Sequence, residues 1–345
     1  MFQNQQLTIN RQRTGNYWRR DKLVLSFIGL LFFCPSLITA NEKVVTKTTA
    51  EQLLQQMVSA SRSSHYELFF LLPHDDEPVT LLRYRHAMIN QQSIEQLTAL
   101  EGPSCEISWC GKQLISCQGQ YLPETVNTTL TLMRSRLPRV MRANPSRLYR
   151  YYEVIQLSNE RVADRQCYVI RLNPRDPHRY GYQLWIDCRT KLLMRSASLI
   201  NHDKPSEQFH VVALSQGKRI AQTLSTVVAG RCLTVPKQKI APTAAVFDWK
   251  PGWLPPGFEQ VLVDQDCSSI SQASVTMQLY SDGVLSIAVY VHAVMSTLPS
   301  DPLLLQKKQC TVYSETRLGR EITVIGEIPI SSARHIVQKV VFNES

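Results

Sequence analysis

The stretch that decides the fold reads YYEVIQLSNERVADRQCYVIRLNPRDPHRYGYQLWIDCRTKLLMRSASLINHDKPSEQFHVVAL and spans residues 151–214. It contains runs rich in Val, Ile, Leu and aromatic residues that follow one another at intervals of about 10–15 residues. Clusters of Pro, Asn, Asp and Gly separate these runs, and no helical period lies between them. Strands at such spacing pair with their neighbours in sequence. The stretch therefore predicts an antiparallel meander.

A helix is predicted upstream of the meander. Thr48 and Glu51 form a capping-box pattern, in which the two side chains bond to each other's backbone amides. Apolar residues then recur at helical spacing from Leu53 to Val58. We expect one amphipathic helix of about 12–15 residues.

Two further features precede the meander. Tyr66–Leu72 and Val79–His86 are β-rich runs on either side of a Pro- and Asp-containing turn, and they predict a hairpin. A second helix is expected over Ser93–Leu100, because Gly102 and the Pro after it form a stop signal. A largely antiparallel sheet with helices on one face is an α+β architecture.

A second domain is predicted to start at FDWKPGWLPPGF, residues 247–258. Before it the periodicity fades, apart from a short helical pattern at Ile220–Val228, and the composition becomes that of a linker. After it come a hairpin that turns at 281–283 and a closing helix over Ser331–Val341. The expected division is a signal at 1–40, an N-terminal domain at 41–220, a linker at 221–245 and a smaller α+β C-terminal domain at 246–345.

Residues 1–40 have the pattern of a secretory signal. Five Lys and Arg residues against one Asp lead into the apolar run Leu23–Phe33, and cleavage is expected between Ala40 and Asn41. Lipoprotein processing at Cys34 and an uncleaved anchor remain as alternatives. Because the signal carries part of the formal net charge of +10, the rest of the chain is only mildly basic, which argues against a nucleic-acid partner.

Eight of the nine cysteines follow the signal. An oxidising compartment permits disulfides, although their connectivity does not follow from sequence. The local prediction is a bond between Cys105 and Cys117, on opposite arms of a short hairpin. Cys167 with Cys188 is a weaker pair, and buried thiols are the alternative for the other cysteines.

No catalytic or metal-binding pattern is present. The chain lacks GxSxG, GxGxxG, a phosphate-binding loop and HExxH, and its histidines stand singly. We therefore expect no enzyme activity, no metal and no cofactor. Because paired carboxylates of a glycosidase leave no local signature, a cell-wall hydrolase stays as a remote alternative.

Two features suggest binding. Arg83, Tyr84 and Arg85 are candidates for a basic and aromatic lip beside an apolar, lipid-binding cavity. The alternative is that the two arginines face solvent while Tyr84 packs in the core. Six arginines between 134 and 150 form either a solvated connector or a surface for acidic partners or phosphorylated lipid head groups.

The order of these segments resembles the RseB/MucB family of periplasmic negative regulators of sigma-E. The stretches that carry the resemblance are SRSSHYELFF, LLRYRHA, RYGYQLWID, FDWKPGWLPPGF and EITVIGEIPISSARHIV. Each is weak alone, but their order across residues 50–342 is specific. The extra cysteines and the long signal depart from the family pattern, which leaves disulfides and processing open.

The resemblance implies a curved, unclosed antiparallel β-sheet wrapped over helices, like LolA and LolB, and a smaller C-terminal domain. It implies that the chain binds the periplasmic domain of the anti-sigma factor RseA, shields it from the protease DegS, and releases it when lipopolysaccharide or lipoprotein acyl chains bind. Self-association into a homo-oligomer is also expected. Tyr280, Ser281 and Asp282 are the predicted partner surface, with a simple tight turn as the alternative. A periplasmic lipid or lipoprotein carrier is the alternative function.

Overall fold

The computed structural model describes residues 49–72, 79–102, 104–111, 113–119, 137–201, 204–229, 247–265, 275–294 and 301–343. The predicted signal with Ala40 and Asn41, the turn at 73–78 and most of the predicted linker lie outside this part of the chain. No helix within the described ranges combines the length and the apolar character needed to cross a membrane.

Helix α1 spans Ala50–Ser63. Its capping box uses Thr49 and Gln52, one residue later than the predicted pair. The shift follows from the helix start at Ala50, because the capping residue must keep an extended backbone while its side chain reaches the third helical amide. Its buried face contains the predicted apolar residues between Leu53 and Val58.

Eleven antiparallel strands form a sheet that we call the large sheet. They are β1 (Tyr66–Leu72), β2 (Thr80–Ile89), β3 (Gln92–Ala99), β4 (Cys105–Cys110), β5 (Gln113–Gly119), β6 (Tyr152–Gln156), β7 (Glu160–Val162), β8 (Arg165–Pro174), β9 (Gly181–Asp187), β10 (Leu193–Asn201) and β11 (Lys204–Gln216). The order is β5-β4-β3-β2-β1-β11-β10-β9-β8-β6, with β7 beside β8. Among the described residues β5 and β6 do not pair with each other, so the sheet is open in this part of the chain. The predicted hairpin and the predicted meander are both confirmed.

The predicted helix over Ser93–Leu100 is wrong, because this segment is strand β3. It turns back from β2 through Asn90 and Gln91, which both have positive φ, as a two-residue hairpin turn requires. Its backbone is paired on both sides, with β2 and with β4. The backbone hydrogen bonds of these two pairings stabilise the strand more than the apolar spacing could stabilise a helix of only two turns.

The large sheet has two unlike faces. Its inner face, where α1 packs, carries Leu68 and Phe70 among its buried residues. A 3₁₀ turn at Arg139–Arg142 and helix α2 (Pro145–Tyr151) also contribute to this core. The outer face carries helix α3 (Lys218–Ala229), which occupies part of the predicted linker. Helix α3 contacts β2 and β3, where Ile220 and Leu224 cluster with Ala87 and Ile94.

Six strands downstream form a second antiparallel sheet, the small sheet. A two-stranded ribbon and a helix accompany it. In chain order these elements are β12 (Trp249–Pro251), β13 (Glu259–Gln265), β14 (Val275–Ser281), β15 (Ser286–Ala293), β16 (Leu303–Lys307), β17 (Cys310–Arg317), β18 (Arg320–Gly326), α4 (Ile330–Gln338) and β19 (Val340–Phe342). The sheet order is β13-β14-β15-β18-β17-β16. Helix α4 is shorter than predicted, because Val340 already pairs with Pro251 in the ribbon.

Candidate functional site

The large and small sheets meet at a junction centred on Arg179. This residue lies between β8 and β9, and its guanidinium is fully buried. Nη1 donates to Asp282 Oδ2 at 2.9 Å, and the side chain of Asp282 is also fully buried. Nη2 donates to the carbonyl oxygen of Pro256 at 2.6 Å, and Nε donates to the carboxylate of Asp176. Removing either member of such a pair leaves an uncompensated buried charge.

Next to this ion pair, the ring of Tyr151 packs closely against the backbone of Gly257. The Arg179 guanidinium carbon is 4.9 Å from the ring centre of Tyr151, and the same ring lies against Gly257. Arg147 holds this segment from the large-sheet side, because its guanidinium donates to the Gly257 carbonyl oxygen at 2.6 Å and to Glu259 at 2.9 Å. The contact therefore joins α2 to the start of the small sheet.

Aromatic and polar contacts extend the junction along β9. Trp253 packs edge-on against two histidine rings, with ring-centre distances of 5.0 Å to His178 and 4.4 Å to His335. Gln306 Nε2 donates to the hydroxyl of Tyr180 at 3.1 Å. These contacts involve β16, α4 and the 253–259 segment, so the two sheets are fastened at several separate points.

Glu327 gives the junction a pH dependence. Its carboxylate accepts a hydrogen bond from Tyr182 at 3.2 Å, and burial raises its pKa above the ordinary 4.5 even though Arg139 is near. From about pH 4.5 upward to the raised pKa, the folded chain keeps a proton that the unfolded chain has lost. The free energy of unfolding therefore falls as the pH rises through this interval.

Glu327→Gln is expected to remove this decline, because glutamine keeps an acceptor for Tyr182 and has no proton to lose. Urea unfolding between pH 4.5 and 7.5 should show the free energy of unfolding of the variant rising relative to that of the parent chain as the pH rises. Glu153→Gln, at an exposed site, serves as the control. Parallel curves for Glu327→Gln and the parent chain would show that Glu327 does not titrate as described.

The predicted partner surface lies inside this junction. Tyr280 and Ser281 are 6% and 7% exposed, and Asp282 is fully buried. Ser281 donates to the carbonyl oxygen of Leu285, and Asp282 Oδ1 accepts the amides that follow it, so a tight turn is present. In this arrangement the three side chains are buried and do not form an exposed surface for a partner.

A cavity of about 370 Å³ lies on the inner face of the large sheet. The residues that matter most to its chemistry are Ser61, Tyr66, Tyr84, His86, Glu95 and Arg142. They come from α1, β1, β2, β3 and the 3₁₀ turn, so the cavity is built where the helices cross the β2–β3 hairpin. Its volume is in the range of small-ligand pockets.

The polar groups of the cavity are largely paired with one another. Arg142 donates to Glu95 at 2.5 Å and to the Tyr84 hydroxyl at 3.3 Å. Burial raises the pKa of Tyr84 and lowers that of His86. The hydroxyl of Ser61 is buried without a hydrogen-bond partner among the described residues. The lining thus combines aromatic surface with one internal ion pair.

The structure divides the predicted lip between the two faces of the large sheet. Tyr84 lines the cavity and is 1% exposed. Arg83 and Arg85 point to the opposite face, where Arg85 pairs with Glu67 at 2.5 Å and Arg83 donates to Thr98 at 3.4 Å. Side chains alternate along a strand, so a triplet of neighbours cannot line one site.

The cysteine hairpin is formed by β4 and β5. Its register places Cys105 opposite Gly119 and Cys117 opposite Ile107, so the two cysteines are diagonal neighbours. Diagonal positions are about 7–8 Å apart, beyond the usual reach of a disulfide. The side chain of Cys117 lies outside the described part, and the bond stays a prediction that needs a local shift in register.

Two other predictions concern cysteines and metals. Cys167 and Cys188 are thiols in the structure. Burial raises the pKa of the Cys167 thiol to about 12, which makes it unreactive at neutral pH. Within the described ranges, no group of three or more His, Cys, Asp or Glu side chains is placed to hold a metal ion.

Sequence reasoning missed the residues that organise both sites. Arg179 lies in one of the clusters that separate the apolar runs of the meander, and its partner Asp282 is 103 positions away, so no local pattern links them. Glu95 could have been identified from the sequence pattern, because it lies between Ile94 and Leu97 in a segment without other charges. A buried acid of this kind requires a cation, which the structure identifies as Arg142.

Two family models match consecutive parts of the chain. The model of the MucB/RseB N-terminal domain covers residues 49–242, and that of the MucB/RseB C-terminal domain covers residues 243–341. The sigma-E factor regulatory protein RseB of Salmonella typhimurium is 33% identical over 320 residues, which are 90% of this chain and 98% of that protein. The sigma factor AlgU regulatory protein MucB of Pseudomonas aeruginosa is 28% identical over 326 residues, or 93% of this chain and 97% of MucB.

Solved structures show the same fold. The crystal structure of MucB in complex with MucA(peri) matches with a TM-score of 0.68 at 22% identity, over 86% of this chain and 100% of that one. A crystal structure of MucB matches with a TM-score of 0.55 at 21% identity, over 84% of this chain and 97% of that one.

Proposed function

Because the chain belongs to the MucB/RseB family of sigma-factor regulators, we propose that it binds the periplasmic segment of an RseA-type anti-sigma factor and shields that segment from proteolysis. The observation that carries this proposal is the match to curated sigma-E regulatory proteins over 98% of their length. The crystal structure of MucB in complex with MucA(peri) has the same fold and supports a partner of this class. The apolar run before Ala40 supports action in the periplasm.

Shielding requires binding without chemistry. A protease cannot cleave a segment whose backbone is covered by another protein, so the regulator needs only affinity and a means of release. A ligand releases the partner if it favours an arrangement of the regulator with lower partner affinity. A coupling of about 1–3 kcal/mol gives a 5- to 150-fold change in affinity. We therefore propose a regulatory binding protein and no enzyme.

The junction is the element that we propose to set the partner affinity. It holds the two sheets through the Arg179–Asp282 pair and the Tyr151–Gly257 contact. We propose that Tyr280, Ser281 and Asp282 act on the partner through this junction, since they are buried in the arrangement described. Loosening the junction would then weaken partner binding without removing any residue that touches the partner.

The cavity is the place where we propose that a lipid ligand acts. Its aromatic lining suits acyl chains, and its position between α1 and the β2–β3 hairpin allows an occupant to displace the helices. Lipopolysaccharide or a lipoprotein acyl chain is the ligand class. A lipid or lipoprotein carrier is the alternative function that the same cavity favours, and transfer of acyl chains between membranes would distinguish it.

The binding proposal is tested with the cognate anti-sigma factor. Its periplasmic segment is immobilised, the exported chain is applied over a range of concentrations, and lipopolysaccharide is then added. We expect saturable binding that lipopolysaccharide reverses. Failure of the folded chain to bind at any concentration would refute the proposal. Binding that lipopolysaccharide does not reverse would refute only the release mechanism.

Ser61→Leu is expected to abolish the lipid response and to leave partner affinity within about twofold. Leucine fills part of the cavity, strands no hydrogen-bond partner and suits a buried helix position. The same assay with lipopolysaccharide measures the effect. Ser59→Leu, on the exposed side of α1, is the matched control and should keep the lipid response. An unchanged response in Ser61→Leu would mean that lipid acts elsewhere.

A further inference from the structure

The β2–β3 hairpin is a wall with a different neighbour on each side. On its inner side, His86 and Met88 line the cavity. On its outer side, Ala87, which lies between them in sequence, packs in a cluster with Ile220 and Leu224 of α3. Neighbouring residues of a strand point to opposite faces of a sheet. A displacement of this one hairpin therefore changes the cavity and the docking site of α3 together.

The two sides of the cavity are backed by apolar clusters of very different size. Helix α1 and the 3₁₀ turn form the opposite wall and belong to the main core, and the Arg62 guanidinium joins them by donating to the carbonyl oxygens of Arg142 and Ala143. Behind the hairpin, the buried members of the cluster among the described residues are Ala87, Ile94, Ile220 and Leu224. Because separating the smaller cluster exposes less apolar area, an occupant that needs more room displaces the hairpin and α3 before it displaces α1.

Helix α3 has little stability of its own. It begins with Lys218 and Arg219, which are cations at the end of a helix where the backbone dipole favours anions, and its first turn has no acid. The hydroxyl groups of Thr223, Ser225 and Thr226 donate to backbone carbonyl oxygens of the preceding turn, which weakens a helix slightly. A helix of 12 residues is marginal in water without tertiary contacts. Loss of its docking site on the hairpin therefore unfolds α3.

Unfolding of α3 lengthens the connection between the two sheets. Among the described residues, α3 is the last element of the chain before β12. The 12 residues of α3 gain about 20 Å of reach when they unfold, because a residue advances the chain by about 1.5 Å in a helix and by about 3.3 Å when extended. A longer connection lowers the effective concentration of one sheet at the surface of the other. The junction around Arg179 is therefore weaker when α3 is undocked.

We propose that an occupant of the cavity moves the β2–β3 hairpin outward and undocks α3, which loosens the junction between the two sheets. This inference rests on the proposed lipid site, and it assigns to α3 the regulation of that site's effect on the partner. The docked and undocked forms of α3 are the two states that such coupling requires. Because coupling is reciprocal, undocking of α3 strengthens lipid binding by the same factor by which lipid favours undocking.

Hydrogen exchange without lipid tests whether the hairpin and α3 are coupled. Leu224→Asp places a charge in the buried outer cluster of the exported full chain, and Ser225→Asp, at the exposed neighbouring position, is the matched control. We expect the amides of α3 and of residues 86–94 to exchange about tenfold faster or more in Leu224→Asp than in the control. Leu224→Ala should show smaller changes of the same kind, and it decides the test if Leu224→Asp does not fold. Unchanged exchange in the hairpin of a variant whose α3 is unfolded would overturn the proposal.

Addition of lipopolysaccharide tests the direction of the coupling. Exchange of the α3 amides in the parent chain should rise by about fivefold or more, and the affinity of Leu224→Asp for lipopolysaccharide should exceed that of Ser225→Asp by the same factor. If lipopolysaccharide binds the parent chain and releases the partner while α3 exchange stays the same, this proposal is overturned and the proposed function stands. If lipopolysaccharide does not bind the parent chain, the lipid site itself is refuted, and this proposal with it.

Discussion

Arg179→Met is expected to lower the free energy of unfolding by about 3–5 kcal/mol. Methionine keeps much of the apolar side-chain volume of arginine but removes the charge. The carboxylate of Asp282 is then left in the interior without its cation. The carbonyl oxygen of Pro256, which accepts a hydrogen bond from Arg179, also loses its donor. Urea unfolding followed by circular dichroism measures the loss.

Two further variants separate charge from packing. Adding Asp282→Asn to Arg179→Met removes the stranded charge while its oxygen still accepts the amides of Val284 and Leu285, and we expect about half of the loss to return. Arg161→Met breaks an exposed pair with Asp164 and should cost under about 1 kcal/mol. If Arg179→Met cost no more than Arg161→Met, the junction would not depend on this ion pair.

Gly257→Ala is expected to cost about 2–5 kcal/mol, as the sum of two effects. A Cβ at this position would lie 2.3 Å from the Tyr151 ring, closer than any real contact, so the ring or the backbone must move. The residue also has a φ of +88°, which disfavours any side chain by about 1–2 kcal/mol. The same urea titration measures the combined loss.

Gly319→Ala isolates the backbone effect. Gly319 has a φ of +71° and nothing within 4 Å of its added Cβ, so only the conformational cost applies there. The excess loss in Gly257→Ala over Gly319→Ala is therefore the steric cost at the junction. Adding Tyr151→Leu to Gly257→Ala should recover that excess. Equal losses in the two single variants would show that the Tyr151 ring moves away from the added methyl group with no loss in the free energy of unfolding.

Local patterns predicted the strands well where their residues alternate or form short apolar runs. The meander from Tyr152 to Gln216 and the β1–β2 hairpin are present in the predicted places. The same reasoning failed at β3, because Ile94 and Leu97 are spaced equally well for a helix turn. What decided the outcome was pairing with β2 and β4, a long-range property that periodicity does not contain.

The sites were harder to predict than the strands, because their residues act across long distances in sequence. Asp282 shows why: one carboxylate oxygen caps its own turn, and the other holds Arg179. The sequence pattern reveals the first role, since Asp before Gly is a common turn pattern, and is silent on the second. Tyr84 is buried in the core and lines the cavity, whereas Arg83 and Arg85 lie on the other face, which is closer to the alternative interpretation than to a continuous lip.

Shielding of the anti-sigma factor from its protease is measured by a cleavage assay. The periplasmic segment of the cognate factor is digested by its site-1 protease with and without the purified, exported chain. Saturating chain is expected to slow cleavage by about tenfold or more, and lipopolysaccharide is expected to restore the rate. Cleavage at the same rate in the presence of excess folded chain would contradict shielding.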